Sequence, residues 1–311
     1  GAKKGSVLNK IPVPDFKGLH PDPNLIYAKE LVNTMYSPDA PDFGSACDGD
    51  GDRNMILGPS FFVSPSDSLA ILTANYKLIP AYKKGIFGVA KSAATSTAVK
   101  RVAEDLKIDF YETPTGWKYF GNLMDSNRIT FCGEESFGTG SNHIREKDGI
   151  WAILFWLNII AATGKSVREI TMDHWKKFGR NYYLRFDFEN IDNAIADNLM
   201  ADLRSSLPSL KNKKFGDYEV SEAFPFIYHD PVDHTDTENG LIVKFKDSSR
   251  IVYRLSGTGT AGATLRVYIE KYEEKDFEKD ALKVLSNLLE IAIDIADVVK
   301  RTGKQKPDII T

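Results

Sequence analysis

Hydrophobic residues in the first part of the chain form short runs separated by amphipathic stretches. The spacing predicts a helix over 27–35, then a strand over 43–47 and a hairpin. Ser64 is suited to cap the next helix with its hydroxyl group. Pro65 is tolerated at the first helical position, because an N–H there would have no partner within the helix. Residues 1–80 are therefore predicted to form part of an α/β unit.

A second series of strands and helices follows over 84–165. Its predicted strands are 85–90, 109–112 and 128–132. The longest apolar run, residues 150–162, is too short to span a bilayer and is predicted to form a buried core helix. Strands that alternate with helices predict a largely parallel sheet, whose ligands bind at the carboxyl ends of the strands.

The last part of the chain has a different pattern. Apolar and polar residues alternate with a period of two over 182–188, 241–245 and 265–270, which is typical of half-buried antiparallel strands. Helices predicted near 191–206 and 276–300 would cover one face of such a sheet. The pattern indicates an α+β domain with an antiparallel sheet.

The predicted fold class is thus α/β, with mixed or parallel α/β units followed by an α+β domain. At 311 residues the chain is longer than one typical domain. The predicted parts are 1–80, 84–165, a linker helix over 166–179, and 180–311.

Charge and cysteine content narrow the classes of function. A net charge of -3 gives no reason to expect a nucleic-acid or membrane partner. The first residues show no signal-peptide pattern. Cys47 and Cys132 do not make a disulfide framework, and we expect both to be buried thiols in a reducing, cytoplasmic compartment.

The most informative motif, Cys-Asp-Gly-Asp-Gly-Asp-Arg, occupies residues 47–53. Asp48, Asp50 and Asp52 would repel one another without a cation, and hard divalent ions take such oxygen ligands. Mg²⁺ usually keeps coordination positions for phosphate oxygens, and Arg53 adds a planar donor group that suits phosphate. The motif therefore predicts a metal ion that faces a phosphate.

Two other interpretations of this motif fit less well. A calcium EF-hand needs Gly at loop position six and Glu at position twelve, where a count from Asp48 finds Arg53 and Pro59. A solvated acidic turn accounts for the Asp-Gly pairs. It does not account for three aspartates in register before an arginine, so metal binding is preferred.

A glycine-rich motif at 254–266 lies between two predicted strands. Arg254 and Arg266 flank glycines and hydroxyl residues, so that backbone N–H groups and guanidinium groups can surround an anion. The motif is not a P-loop, because the Gly-Lys-Ser/Thr ending and the following helix are absent. We predict a phosphate cradle, with a plain hairpin turn as the alternative.

Two further polar loops follow predicted strands. Gly-Glu-Glu-Ser-Phe-Gly at 133–138 suits a polyhydroxyl ligand, since a carboxylate accepts from two hydroxyls and serine can donate or accept. The segment 142–149 concentrates ionisable groups before the apolar helix and can be a solvated loop. Lys147 would have a functional role if its side chain pointed into a cleft near the acidic loop.

Some polar residues have a structural interpretation. His-Pro-Asp-Pro-Asn at 20–24 is predicted to be a rigid turn because of its prolines. Asp148 can cap the apolar helix, and His143 is expected to be structural.

Five motifs in this order closely resemble those of the phosphoglucomutases in the α-D-phosphohexomutase superfamily. The matching segments are Cys-Asp-Gly-Asp-Gly-Asp-Arg at 47–53, Thr-Pro-Thr-Gly-Trp-Lys at 113–118, Gly-Glu-Glu-Ser-Phe-Gly at 133–138, Arg-Glu-Lys-Asp-Gly at 145–149 and Arg-Leu-Ser-Gly-Thr-Gly at 254–259. The resemblance implies interconversion of glucose 1-phosphate and glucose 6-phosphate through glucose 1,6-bisphosphate.

The resemblance also implies a role for each matching residue. Asp48, Asp50 and Asp52 are implied to bind Mg²⁺, with Arg53 beside the reacting phosphoryl group and Lys147 as its second catalytic residue. The residues implied to bind the hexose phosphate are Thr115, Gly116, Glu134, Ser136, Arg254, Ser256, Gly257, Thr258, Gly259 and Arg266.

One feature of the family does not occur in this sequence. The family's phosphoryl-carrying serine lies in a Thr-Ala-Ser-His-Asn segment, and the sequence contains no Ser-His-Asn. The resemblance implies that this is the C-terminal portion, whose partner is a missing N-terminal half, and that it is inactive alone. The alternatives are a catalytically silent sugar-phosphate-binding or secretion-linked protein, and a mutase for mannose or N-acetylglucosamine phosphate.

Overall fold

The computed structural model describes residues 5–259 and 262–311. These residues form two compact units. The first comprises the described residues up to Lys91 with Val99–Tyr111 and Leu123–His174, and the second comprises Ser92–Ala98, Glu112–Asn122 and Trp175–Thr311. The four-part division of the sequence stays a prediction.

Residues 5–178 contain short strands and helices in alternation, as predicted. In chain order the elements are α1 (Lys29–Met35), β1 (Gly44–Cys47), β2 (Asn54–Gly58), β3 (Phe61–Val63), α2 (Pro65–Ala74), β4 (Gly88–Ser92), α3 (Ala98–Leu106), β5 (Asp109–Thr113), α4 (Trp117–Asp125), β6 (Phe131–Gly133), β7 (Thr139–Ser141), α5 (Gly149–Thr163) and α6 (Val167–Phe178). Short 3₁₀ helices occur at Phe16–Gly18, Tyr76–Leu78 and Pro80–Tyr82.

A three-stranded sheet, in the order β1-β2-β3, is antiparallel throughout. The predicted hairpin is confirmed. Its strands follow one another after short connections, which suits antiparallel neighbours, because parallel neighbours need a long crossover connection. The next helix begins as predicted, since Ser64 Oγ accepts a hydrogen bond of 3.1 Å from the N–H of Asp67. The sheet thereby presents the acidic motif in the β1–β2 connection.

The second sheet has the order β5-β4-β6-β7. Strand β4 is parallel to β6, with Val89 opposite Phe131, and β6 is antiparallel to β7. This mixed sheet confirms the predicted fold class. The strand predicted over 128–132 begins at Phe131 instead, and β7 was not predicted because Thr139–Ser141 is short and has no apolar alternation.

Helix α5 packs an aromatic cluster against the second sheet. The Tyr82 ring meets Phe131 edge-on at 4.8 Å between centroids and stacks on Phe155 at 5.8 Å. Trp156, fully buried, donates from Nε1 to Ser68 Oγ at 2.9 Å. One face of the helix is therefore core, as predicted, while Leu154 and its neighbours on the other face are exposed.

No single helix among residues 5–259 and 262–311 is long and apolar enough to cross a membrane. Helices α5 and α6 meet the length and composition requirements only as a pair, and they are bent by 85° to each other.

The remaining residues form a seven-stranded antiparallel sheet with helices. Its elements are β8 (Arg180–Ile191), α7 (Asn193–Leu210), β9 (Lys214–Phe215), β10 (Tyr218–His229), β11 (Asp236–Phe245), β12 (Arg250–Gly259), β13 (Gly262–Glu273), α8 (Ala281–Ile295), α9 (Val298–Thr302) and β14 (Ile309–Ile310). The strand order is β14-β8-β13-β12-β11-β10-β9. The predicted α+β domain with an antiparallel sheet is confirmed.

Helices α7 and α8 supply apolar side chains to the main core of this sheet. Leu199 and Leu203 of α7 and Leu288 of α8 are buried in one cluster with strand residues such as Phe186. The helix predicted over 276–300 is two helices, because Asp297 adopts a left-handed conformation, which aspartate tolerates better than most residues.

A buried ionic network lies on the other side of the sheet's central strands. The Arg250 guanidinium lies 3.2 Å from Glu270 and 3.3 Å from Glu112, and it donates to the carbonyl of Thr95 at 2.7 Å. Glu270 also accepts from the N–H of Thr97 at 2.8 Å. This network attaches the segment Ser92–Ala98 to the sheet.

The two cysteines are free thiols in different environments. Cys132 is buried and Cys47 is half-buried. Burial raises the pKa of the Cys47 thiol to about 11, and the charges of Asp48 and Asp148 act in the same direction. A thiol with so high a pKa is a poor nucleophile at neutral pH.

Candidate functional site

The acidic motif forms the connection between β1 and β2. Carboxylate oxygens of Asp48, Asp50 and Asp52 all lie within 4.8 Å of one another. Gly51 has a φ of +79°, a conformation that favours glycine, and lets the loop turn between the aspartates. The predicted convergence of the three side chains is therefore present in the fold.

Arg53 holds the loop from its C-terminal side. Its Nε donates to Asp48 Oδ2 at 2.7 Å, and its backbone N–H donates to Asp48 Oδ1 at 3.0 Å. Burial by itself would raise the pKa of Asp48, but these hydrogen bonds and the arginine charge outweigh it and lower the pKa. Asp48 is thus favoured as a carboxylate before any ligand arrives.

Asp22 is a member of this site that sequence reasoning missed. It lies in the proline-rich segment predicted to be only a turn, and its Oδ1 accepts from Arg53 Nη1 at 2.5 Å. The signal available in the sequence was an aspartate held between two rigid prolines, Pro21 and Pro23. Arg53 is consequently clamped by carboxylates from two segments.

Lys147 points at the acidic loop. Its Nζ lies 3.2 Å from Asp52 Oδ2. The pKa of Asp52 is raised, mainly by burial. The contact with Lys147 lowers this pKa, whereas the charges of Asp48 and Asp50 raise it further. Lys147 therefore points toward the acidic loop, as a functional role at this site would require.

The donor set of this loop fits a divalent cation. Four carboxylates, those of the three loop aspartates and Asp22, face two cationic groups, Arg53 and Lys147, so two negative charges are left over in the cluster. Clustered carboxylate oxygens are the ligands that Mg²⁺ and Ca²⁺ prefer. An added cation would relieve the repulsion among the aspartates.

The loop 133–138 lies against the acidic motif. Arg53 forms an antiparallel bridge with Gly138, and the N–H of Asn54 donates to the carbonyl of Phe137 at 2.9 Å. Ser136 Oγ lies 3.4 Å from Glu134 Oε2. The first unit therefore brings together these predicted residues: Asp48, Asp50, Asp52, Arg53, Glu134, Ser136 and Lys147.

Gly138 leaves room for the Lys147 side chain. A Cβ at this position would lie 2.5 Å from Lys147 Cδ. The lysine stem therefore passes directly over the glycine on its way to Asp52.

His143 makes contacts that fit the structural role predicted for it. Its Nδ1 lies 2.5 Å from Ser141 Oγ and its Nε2 lies 3.0 Å from Asp148 Oδ2. Asp148 also caps helix α5 by accepting from the N–H of Trp151 at 2.9 Å. These contacts fix the loop that carries Lys147.

The glycine-rich motif lies at the β12–β13 connection in the second unit. Arg254 is directly opposite Arg266, and Ser256 is opposite Thr264. Gly257 has a φ of +67°. Thr258 and Gly259 belong to β12 by their backbone. The Thr258 side chain and residues 260 and 261 lie outside the described part of the chain.

Thr115 and Gly116 precede helix α4 in the second unit. The N–H of Thr115 donates to Asn239 Oδ1 at 3.2 Å, and Gly116 has a φ of +133°. Thr115 Oγ1 is buried and has no hydrogen-bond partner among the residues that the structure describes. A ligand hydroxyl or phosphate oxygen would satisfy it.

Family models match most of the chain. The model "Phosphoglucomutase/phosphomannomutase, alpha/beta/alpha domain III" matches residues 65–178. The model "Phosphoglucomutase-1, C-terminal domain" matches residues 180–308.

Curated relatives match this chain over its whole length but are themselves longer proteins. Phosphoglucomutase of Rhizobium radiobacter is 55% identical over 315 residues, which cover 100% of this chain and 58% of the relative. Phosphoglucomutase-1 of Homo sapiens is 51% identical over 323 residues, with 100% and 57% covered. The chain thus spans little more than half the length of these relatives.

Solved structures show the same similarity. The exocytosis-sensitive phosphoprotein parafusin (phosphoglucomutase) from Paramecium, in an open form, has a TM-score of 0.92 and 47% identity, covering 100% of this chain and 56% of that one. A phosphomannomutase-like protein from Thermus thermophilus has a TM-score of 0.62 at 23% identity, which shows the fold alone.

Proposed function

Because the chain belongs to the phosphoglucomutase family, we propose that it supplies the metal-binding, sugar-binding and distal phosphate-binding residues of an enzyme that interconverts glucose 1-phosphate and glucose 6-phosphate. The observation that carries this proposal is the convergence of the aspartate triad with Arg53, Lys147 and Glu134 in one unit. Phosphoryl transfer depends mainly on positioning and charge neutralisation, and these groups supply both.

Asp48, Asp50 and Asp52 would hold Mg²⁺. When bound, the ion stabilises the charge that develops on phosphoryl oxygens. Arg53 uses Nε on Asp48 and Nη1 on Asp22, and it would offer its Nη2 group to a phosphate. Lys147 places an ammonium group beside the same loop, where it can neutralise phosphate charge or donate a proton.

The remaining predicted residues would bind the sugar and the phosphate that does not react. Glu134 and Ser136 present a carboxylate and a hydroxyl, which suit sugar hydroxyls in either orientation of the substrate. Thr115 contributes a buried hydroxyl that needs a partner. The distal phosphate would be bound by Arg254, Ser256, Gly257, Thr258, Gly259 and Arg266.

The covalent carrier is proposed to lie outside these 311 residues. The family transfers phosphate through a phosphoserine and glucose 1,6-bisphosphate, and this sequence has no Ser-His-Asn segment. We propose that the carrier belongs to the part of the relatives that the chain does not match, and that the chain has no turnover alone. The two free thiols support a proposed cytoplasmic location.

The test is a completed enzyme. The chain is joined to the N-terminal portion of the Rhizobium radiobacter relative, and glucose 6-phosphate formation is measured with a coupled dehydrogenase. Asp50→Asn is expected to lower kcat/KM by about 100-fold or more, equivalent to roughly 2.7 kcal/mol. Asp39→Asn, at an exposed aspartate before β1, is the matched control and should leave activity unchanged.

Two outcomes would contradict the proposal. Full activity of the Asp50→Asn enzyme would exclude the metal assignment. A completed protein that binds glucose 6-phosphate without turnover would favour the silent, secretion-linked alternative, to which the parafusin similarity gives some support.

A further inference from the structure

Three arginines share one face of the C-terminal sheet around a single buried carboxylate. Asp187 on β8 is directly opposite Arg266 on β13, and Arg266 is opposite Arg254 on β12. Arg185 lies two residues before Asp187 and therefore projects to the same face. Four charged side chains thus form a continuous row across three adjacent strands.

Asp187 contacts two of these arginines. Its Oδ1 lies 3.0 Å from Arg185 Nε, and its Oδ2 lies 3.7 Å from Arg266 Nε. Both contacts are ion pairs and not hydrogen bonds. The third arginine, Arg254, donates from Nη1 to Tyr268 Oη at 3.2 Å. The Asp187 carboxylate therefore pairs with two of the three guanidinium groups, and Arg254 lies beside them with a different partner.

The exposure of these groups differs in a way that matters for binding. The Asp187 side chain is 3% exposed, whereas those of Arg185 and Arg266 are 22% and 33% exposed. Burial raises the pKa of Asp187, and the charges of Arg185 and Arg266 oppose this rise. A ligand can reach the arginines but not the carboxylate behind them.

We propose that Asp187 is a positioning residue that holds Arg185 and Arg266 by ion pairing, so that both present guanidinium N–H groups with Arg254 to the phosphate of a sugar phosphate. The inference rests on the proposed function and adds Arg185 and Asp187 to the phosphate cradle. Arginines that are held before the ligand arrives lose less side-chain freedom on binding.

Simple charge counting predicts the opposite effect for Asp187. Removal of a carboxylate beside three arginines makes the site more positive, so an anion should bind more tightly. Loss of positioning should instead weaken binding, because the two guanidinium groups become mobile. The sign of the change therefore separates the two effects.

The experiment is calorimetric titration of the chain with glucose 6-phosphate and with inorganic phosphate at low ionic strength. Asp187→Asn is expected to bind glucose 6-phosphate about fivefold more weakly, which corresponds to ~1 kcal/mol. Arg185→Lys keeps the charge but loses the planar fork, and it should weaken binding similarly. Asp236→Asn, at an exposed aspartate on β11, is the control and should leave the affinity unchanged.

Each outcome has a distinct meaning. If the unmodified chain binds glucose 6-phosphate and Asp187→Asn binds it equally or more tightly, the positioning role is overturned. The proposed function is then left intact. Absence of binding by the unmodified chain overturns both the inference and the phosphate role of the glycine-rich motif. Thermal unfolding identifies a variant that does not fold, and if Asp187→Asn is unfolded, unchanged affinity of Arg185→Lys overturns the inference.

Discussion

The backbone N–H of Gly149 donates a hydrogen bond of 3.1 Å to the carbonyl oxygen of Gly51. Gly149 is the first residue of core helix α5, and Gly51 lies between two aspartates of the acidic loop. A Cβ at Gly149 would lie 2.5 Å from the Arg53 carbonyl oxygen and 2.7 Å from that of Gly51. The geometry of the acidic loop therefore depends on the absence of a side chain at the helix start.

Gly149→Ala should displace the acidic loop and weaken divalent-cation binding by about tenfold, since the clash is with backbone atoms that cannot rotate away. Calorimetric titration with Mg²⁺ measures the effect. Gly121→Ala is the matched control, because Gly121 lies in α4 with nothing within 4 Å of a Cβ, and it should stabilise the helix by up to ~1 kcal/mol. Equal Mg²⁺ affinity in both variants would contradict the proposed dependence.

Arg250→Met should destabilise the protein by about 3–5 kcal/mol, because Glu270 would remain buried without its charge partner. Urea unfolding followed by circular dichroism gives the change in free energy. The comparison variant is Arg204→Met, which removes an exposed ion pair with Glu238 and should cost at most ~1 kcal/mol. A similar decrease in the free energy of unfolding for the two variants would show that the buried ionic network stabilises the protein no more than an exposed ion pair does.

The start of helix α6 should lose stability in acid. Hydrogen bonds from the N–H and hydroxyl of Ser166 lower the pKa of Glu169. A lowered folded pKa means that the stabilisation is present above the ordinary pKa of glutamate and is lost as the pH falls through the folded value.

Glu169→Gln should therefore reduce stability at neutral pH and reduce the difference between urea midpoints at pH 7 and at pH of about 3. Glu274→Gln, at an exposed glutamate, is the control and should keep the pH dependence of the unmodified chain. An unchanged difference in Glu169→Gln would contradict the assignment.

Gly240→Ala should disturb Arg254. A Cβ on Gly240 would lie 2.8 Å from Arg254 Cγ, and the φ of +91° adds strain for any other residue. We expect a loss of roughly 1–2 kcal/mol in stability and weaker phosphate binding. Gly216→Ala is the control, with a φ of +57° and nothing within 4 Å of a Cβ, so that it carries strain without the contact. Phosphate affinity that falls equally in both variants would exclude a contact effect.

Local patterns in the sequence were sufficient for much of the fold. Alternation over 182–188 and 265–270 predicted the long strands β8 and β13, because side chains on a half-buried strand must alternate. Ser64 and Pro65 predicted the start of α2, since capping is decided within a single turn. Short elements such as β7 were missed, because a three-residue strand is stabilised by its neighbours in the sheet rather than by its own residues.

The sequence by itself determined which residue types form the candidate site, since closely spaced carboxylates need a cation and glycine with arginine suits phosphate. The tertiary structure alone decided which distant side chains join them. Asp22 reaches Arg53, and Asp187 reaches Arg266, through contacts between residues far apart in the chain. The spacing of residues in the sequence does not predict such contacts, because strand pairing and packing decide which distant residues come together.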